Sequence, residues 1–244
     1  MSMENVYDKF VIDMVGKRIA GDIVWSSDVY NSLRKWRETF RLSQQELAKE
    51  LGVKQTVIAD YERGRRQPGS SFIKRYVSAL IRSDAKNGFK VIGELVKMFN
   101  LNFPYIMDMG DFISPLPAHE IIRAVDGVVL NSFINQVTVY GYMVTNSIKT
   151  ISTLSGTDFY QFLSLSLNRV LVFTKVAGGR SPMIALKVAP VKPKIVVLHR
   201  PVRIDPLALY LSEQEGINIV ISTKKTEEEL INSMRSLLSS RQEP

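Results

Sequence analysis

The sequence predicts an α + α/β chain, with an all-α N-terminal domain over residues 1–100 and a mixed α/β C-terminal domain over 118–244. Three observations lead there. Apolar residues recur at helical spacing through the first hundred positions. Short continuous apolar runs bounded by turn residues take over from Ala118. Between them Pro104, Gly110, Pro115 and Pro117 crowd one stretch, so that 101–117 reads as a linker. A chain of 244 residues has room for two ordinary domains, and 45% hydrophobic with 23% charged residues belongs to a folded polypeptide.

Composition removes several kinds of chemistry. The absence of cysteine excludes disulfides, thiolate zinc sites, iron–sulfur clusters and cysteine nucleophiles. Only His119 and His199 remain to anchor a histidine metal site or a triad, and they lie far apart in the chain. No Walker loop, G-x-G-x-x-G, G-x-S-x-G or acid/His constellation appears in the last 144 residues. The expectation is a chain with no catalytic residue, metal or cofactor. Acidic Glu4, Asp8 and Asp13 stand where a secretion signal would be basic and then apolar. Gly127 to Ile148 is 22 residues without a charge, but Asn131, Asn135, Gln136 and Asn146 are costly in lipid, so a half-buried β segment is the better reading. We expect a cytoplasmic protein with no membrane partner.

Taking the elements in order, Val6–Val15 is amphipathic and Ile23-Val24-Trp25 precedes a helix cap at Ser26 or Ser27. Trp25 and Trp36 read as core residues, and two tryptophans in so small a bundle hint at a second packing surface. Ser43-Gln44-Gln45-Glu46 is a capping box, in which the serine hydroxyl accepts from the N–H three residues on and the glutamate reaches back. Leu47, Ala48 and Leu51 give that helix its apolar face, and Gly52 stops it. A second helix follows after a turn of about three residues, with Val57 or Ile58 and Tyr61 at helical spacing and Lys54, Gln55 and Thr56 at its start. Further helices are expected from a cap at Ser71 through Ile81 and over Phe89 to Phe99.

Charge is concentrated in the same place. The chain carries a formal +8, and the window Arg34 to Arg75 holds 11 basic against five acidic residues. A dense positive charge on a small helical unit is the electrostatic footprint of a polyanion binder. Leu42-Ser43-Gln44-Gln45-Glu46-Leu47-Ala48, Gly52-Val53, Ile58, Tyr61-Glu62 and Gly64 together resemble the Xre/Cro type of helix-turn-helix regulator, of lambda-repressor-like fold, with the motif at 42–64 and the similarity reaching from Val29 to Leu80.

The resemblance implies roles by position. Gln44 would donate to a DNA phosphate, which agrees with its place at a helix N-terminus. Gln55 and Thr56 would touch base edges, glutamine pairing with adenine and threonine meeting a thymine methyl. Asp60 can accept from a cytosine amino group or form a salt bridge. Lys54, Arg63, Arg65 and Arg66 would clamp phosphates, the alternative for each being an ordinary solvated charge. Arg37 and Glu62 would form a partly buried ion pair that locks the helices. The implied partners are double-stranded DNA on a pseudo-palindromic site and a second copy of the chain in a homodimer. A protein-interaction adaptor or antitoxin-like module built on the same fold is the rival reading.

In the second half, strands are expected at Val137–Tyr140, Arg169–Val176, Met183–Val188, Lys194–His199 and Ile217–Ser222, with helices at Asp205–Glu215 and Thr226–Leu238. Their order implies a parallel pair. Gly178-Gly179-Arg180-Ser181 is either an anion-binding turn or a plain hairpin turn, and His199 lies just past a strand's carboxyl end, where α/β folds place ligands. Arg180, Ser181 and His199 are therefore the candidate site for a small-molecule effector, or for a nucleotide-directed enzyme activity. Gly141-Tyr142 and Gly179-Arg180-Ser181-Pro182-Met183 extend the similarity to archaeal Xre-type regulators with an α/β C-terminal domain of unassigned role.

Overall fold

A computed structural model of the chain describes residues 8–131 and 137–239. Val6, Asn135, Gln136 and the N-terminal segment that carries Glu4 lie outside them. The chain forms an N-terminal helical region followed by a domain built on a mixed six-stranded sheet, and it divides into two compact units, Met1–Asn102 and Phe103–Pro244.

Among its described residues the first unit has six helices, α1 (Lys9–Trp25), α2 (Val29–Thr39), α3 (Gln44–Leu51), α4 (Gln55–Glu62), α5 (Ser70–Lys86) and α6 (Lys90–Met98). Val11, Val15, Ile19 and Ile23 form one buried stripe along α1 at i, i+4 spacing. Trp25 falls off that stripe at the helix end and is 91% exposed, so it is not the core residue its type suggests. Trp36 is buried, and its indole N–H donates to Asp22 at 2.7 Å. The Lys35 ammonium donates to the same carboxylate and holds its pKa below the usual aspartate value. The cap of α2 is Asp28, which accepts from the Asn31 N–H, rather than Ser26 or Ser27. α5 begins after Gly69 and outruns its expected span, because Asp84 near its end is buried and accepts from the Val91 and Ile92 N–H groups that open α6.

The second unit contains β1 (Ile106–Pro117), α7 (Ala118–Ala124), β2 (Gly127–Val129), β3 (Thr138–Asn146), α8 (Ser147–Thr153), α9 (Gly156–Ser166), β4 (Arg169–Thr174), α10 (Arg180–Lys187), β5 (Ile195–His199), α11 (Pro206–Gln214), β6 (Asn218–Ser222) and α12 (Glu227–Ser236). The sheet order is β1-β3-β4-β5-β6-β2, parallel from β3 to β6, with antiparallel β1 and β2 at the edges. The central strands are buried on both faces, which is why their sequences are continuous apolar runs. Val170, Val172, Ile195, Val197 and Val220 face a core shared with α7 and α12. The alternate residue Leu198 instead lies against the start of α10 and α11, close to Gly179 and Ala208.

Two expectations are corrected here. The supposed linker 101–117 is largely β1, since proline is tolerated on an edge strand and Pro115 falls where the register with β3 shifts, between Asp111 and Leu116. The expected strand Met183–Val188 is helix α10. β4 and β5 are parallel neighbours, which requires a crossover between them, and Pro182 sits in the helix's first turn where no N–H is needed. Gly179, at φ +82°, makes the entry into that helix.

Candidate nucleic-acid interface

The motif helices are set by local chemistry. Ser43 accepts from the Glu46 N–H at 3.2 Å while the Glu46 carboxylate accepts from the Ser43 N–H at 2.7 Å, so both arms of the capping box are made. Those bonds hold the Glu46 carboxyl below its ordinary pKa. Gly52 ends α3 in the left-handed region at φ +67°, and the Val53 N–H returns to the Ala48 carbonyl at 3.0 Å. Leu47 and Leu51 of α3 and Ile58 of α4 are buried, which seats the two helices against the bundle.

α4 is braced from behind at its far end. Arg37 Nε donates to Glu62 Oε1 at 2.7 Å and Nη2 to Oε2 at 2.9 Å, a bidentate pair whose side chains are almost wholly buried. The pairing pushes the guanidinium pKa up, and Arg37 Nη1 also donates to the Leu42 carbonyl at 2.7 Å. Tyr61 stacks on Phe72 with ring centroids 3.8 Å apart. The near end is open. Lys54 at the N-cap makes no capping bond, and Lys54, Gln55 and Thr56 are all exposed. A lysine opposes the helix dipole at that position, so α4 begins with a cation, two polar side chains and uncapped N–H donors, a set that suits an anionic groove better than stability.

The arginines differ in what holds them. Arg65 and Arg66 each lie 3.7 Å from the Asp60 carboxylate, so Asp60 tethers them beside α4. Lys54 and Arg63, at the two ends of the helix, have no carboxylate partner among the described residues. The Gln44 side-chain amide donates to Glu62 Oε2 at 2.9 Å, which leaves its place at the head of α3 for backbone N–H contact. Arg75 is spent on the Leu51 carbonyl at the end of α3 at 3.0 Å, and Arg34 pairs with Glu38 at 2.8 Å. Part of the basic window is thus spent on contacts within the bundle. Sequence reasoning missed Tyr30, whose ring packs within 3.2 Å of where a Cβ on Gly64 would stand and so shapes the chain leaving α4. No local signal links residues so far apart.

In the second unit Arg180 and Ser181 open α10, with Arg180 3.9 Å from Asp205. His199 is buried, and its Nε2 lies 3.0 Å from the Lys224 carbonyl. Among the described residues no cluster of His, Cys, Asp and Glu could hold a metal, and no helix is long and apolar enough to cross a membrane.

A capped helix, a glycine turn and an exposed second helix braced by a buried ion pair define a helix-turn-helix protein. Residues 33–85 match the helix-turn-helix family HTH_3. The chain is 38% identical over 210 residues to an uncharacterized HTH-type transcriptional regulator of Archaeoglobus fulgidus, covering 85% of this chain and 91% of that protein. It is also 38% identical over 229 residues to another such regulator, of Methanocaldococcus jannaschii, covering 91% and 95%. No solved structure matches. The chain belongs to the HTH-type transcriptional regulators, with a DNA-binding domain of the Xre/Cro type.

Proposed function

We propose that this regulator works as a homodimer on a pseudo-palindromic DNA site in the cytoplasm, binding rather than catalysing. The unit Met1–Asn102 reads the DNA, and the unit Phe103–Pro244 supplies dimerisation and effector sensing. α4 enters the major groove, with Gln55 and Thr56 on base edges and Asp60 within reach of a cytosine amino group. Lys54, Arg63, Arg65 and Arg66 hold the flanking phosphates together with the head of α3 at Gln44. The exposed, uncapped start of α4, on a helix braced at its far end by Arg37 and Glu62, is the observation that carries this reading. One such helix buries too little surface for tight specific binding, and a two-fold dimer presents two. Exposed Ile148 and Ile151 on α8, Tyr160 on α9, Ile184 on α10 and Val188 just after it support a self-association face in the second unit.

Selection of bound sites from random DNA tests the reading directly. Two inverted half-sites about one helical turn apart are expected. Recovery of no common sequence, or of a single half-site, overturns the proposal.

A further inference from the structure

The two strands β5 and β6 lie side by side and parallel, yet their outgoing connections part. The loop after β5 leads to α11, on the Leu198 face of the sheet, while the loop after β6 leads to α12, on the face of Val197 and Val220. Neighbouring strands that send their chains to opposite faces leave a crevice beyond their carboxyl ends, where open α/β sheets bind ligands. A crevice of about 650 Å³ stands there, between the segments 200–204 and 221–225, a size suited to a small molecule.

Its charge is one-sided. Arg200, Arg203 and Lys225 line it, and no acidic residue does. The cations just outside are matched by carboxylates: Lys175 with Glu227 at 3.5 Å, Arg180 with Asp205 at 3.9 Å and Lys224 with Asp126 at 2.8 Å. Among the described residues the side-chain charges of these three form no salt bridge, and the nearest carboxylate, Glu229, accepts from the Lys225 backbone N–H at 3.0 Å. Arg200 is also fixed in place. It adopts φ +44°, its N–H donates to the Ser222 carbonyl at 3.1 Å, and its Nη1 donates to the Lys225 carbonyl at 2.7 Å, tying the two walls together.

We propose that this crevice binds a small phosphate-bearing molecule. Arg203 offers a forked donor that matches phosphate oxygens, Arg200 adds the N–H groups that its Lys225 contact leaves over, and Lys225 adds a point charge. Val202 and Ile204 present apolar surface to the organic part. The site lies one strand beyond Arg180 and Ser181, and His199 serves it only as a buttress through the Lys224 carbonyl. Binding here stands independently of how the first unit reads DNA.

Pyrophosphate is the probe, titrated into the full-length protein and followed by backbone amide NMR. Saturable shifts confined to residues 199–204 and 222–226 are expected. Arg203→Gln with Lys225→Gln, both exposed positions, should keep a dispersed spectrum and weaken binding about tenfold or more. Absence of saturable shifts at those amides overturns the proposal, as does equal affinity in the double variant. An equal response to malonate overturns the assignment to phosphate. Shifts appearing only in α3 and α4 also overturn it and would leave the DNA reading intact.

Discussion

The Arg37–Glu62 pair shows how one buried contact can set a functional surface. Each side chain is almost wholly removed from water, so the partner left behind by a single substitution cannot be resolvated. Glu62→Ala is expected to lower stability by about 3 kcal/mol in urea unfolding, more than Arg37→Met with Glu62→Leu together, which leaves no stranded charge. A single substitution milder than the double one would show that the pair is not a unit. The exposed residues of α4 should separate by readout. Gln55→Ala with Thr56→Ala is expected to remove about 1–3 kcal/mol of preference for the selected site per base contact while sparing random DNA. Arg65→Ala with Arg66→Ala should weaken both and flatten the salt slope by about 2. Equal losses on both DNAs from the first pair would refute base reading at those residues.

Within single elements, α3 concentrates most of the local information. Its capping box is closed by Glu46, whose carboxyl pKa is lowered by the Ser43 N–H it accepts from. A lowered folded-state pKa contributes stability that is present above the ordinary glutamate value, about 4.3, and lost as pH falls through the folded value. The gap between wild type and Glu46→Gln in unfolding midpoint should therefore be constant near neutral pH and close on acidification. A gap that widens in acid would contradict the assignment. Ser43, Gln44, Gln45 and Glu46 were legible because a cap uses neighbours three residues apart, and Gly52 because its positive φ leaves few alternatives. α10 was not legible. Its short apolar run fits a strand or a helix equally, and the choice was made by β4 and β5, whose parallel pairing needs a crossover between them.

For the whole molecule, the proposed dimer makes DNA affinity depend on self-association. Ile184→Asp with Val188→Asp places charges on the exposed apolar residues of α10 and its C-cap. Sedimentation should then show a monomer, and operator binding should weaken and lose the steep, cooperative part of its dependence on protein concentration. A variant that stays dimeric places the interface elsewhere. Exposed apolar residues mark such faces only once the fold is known, since Val188 and the buried Leu186 are alike in sequence and differ in surroundings.

Taken by itself, the sequence determined what neighbours decide: the capped α3, its glycine stop, the exposed start of α4, the apolar runs of the central strands and the family to which the chain belongs. Caps, turns and periodicity act over a few residues, so they survive in a linear reading. Tertiary structure decided what distant residues share. It turned a proline-rich stretch into the edge strand β1, left Trp25 in solvent at the end of a stripe that ran out, divided the basic window between exposed arginines beside α4 and arginines spent inside the bundle, and opened the crevice beyond β5 and β6. Each depends on which surfaces meet, and pairing between distant segments is chosen by burial and hydrogen bonding across the fold rather than by local preference.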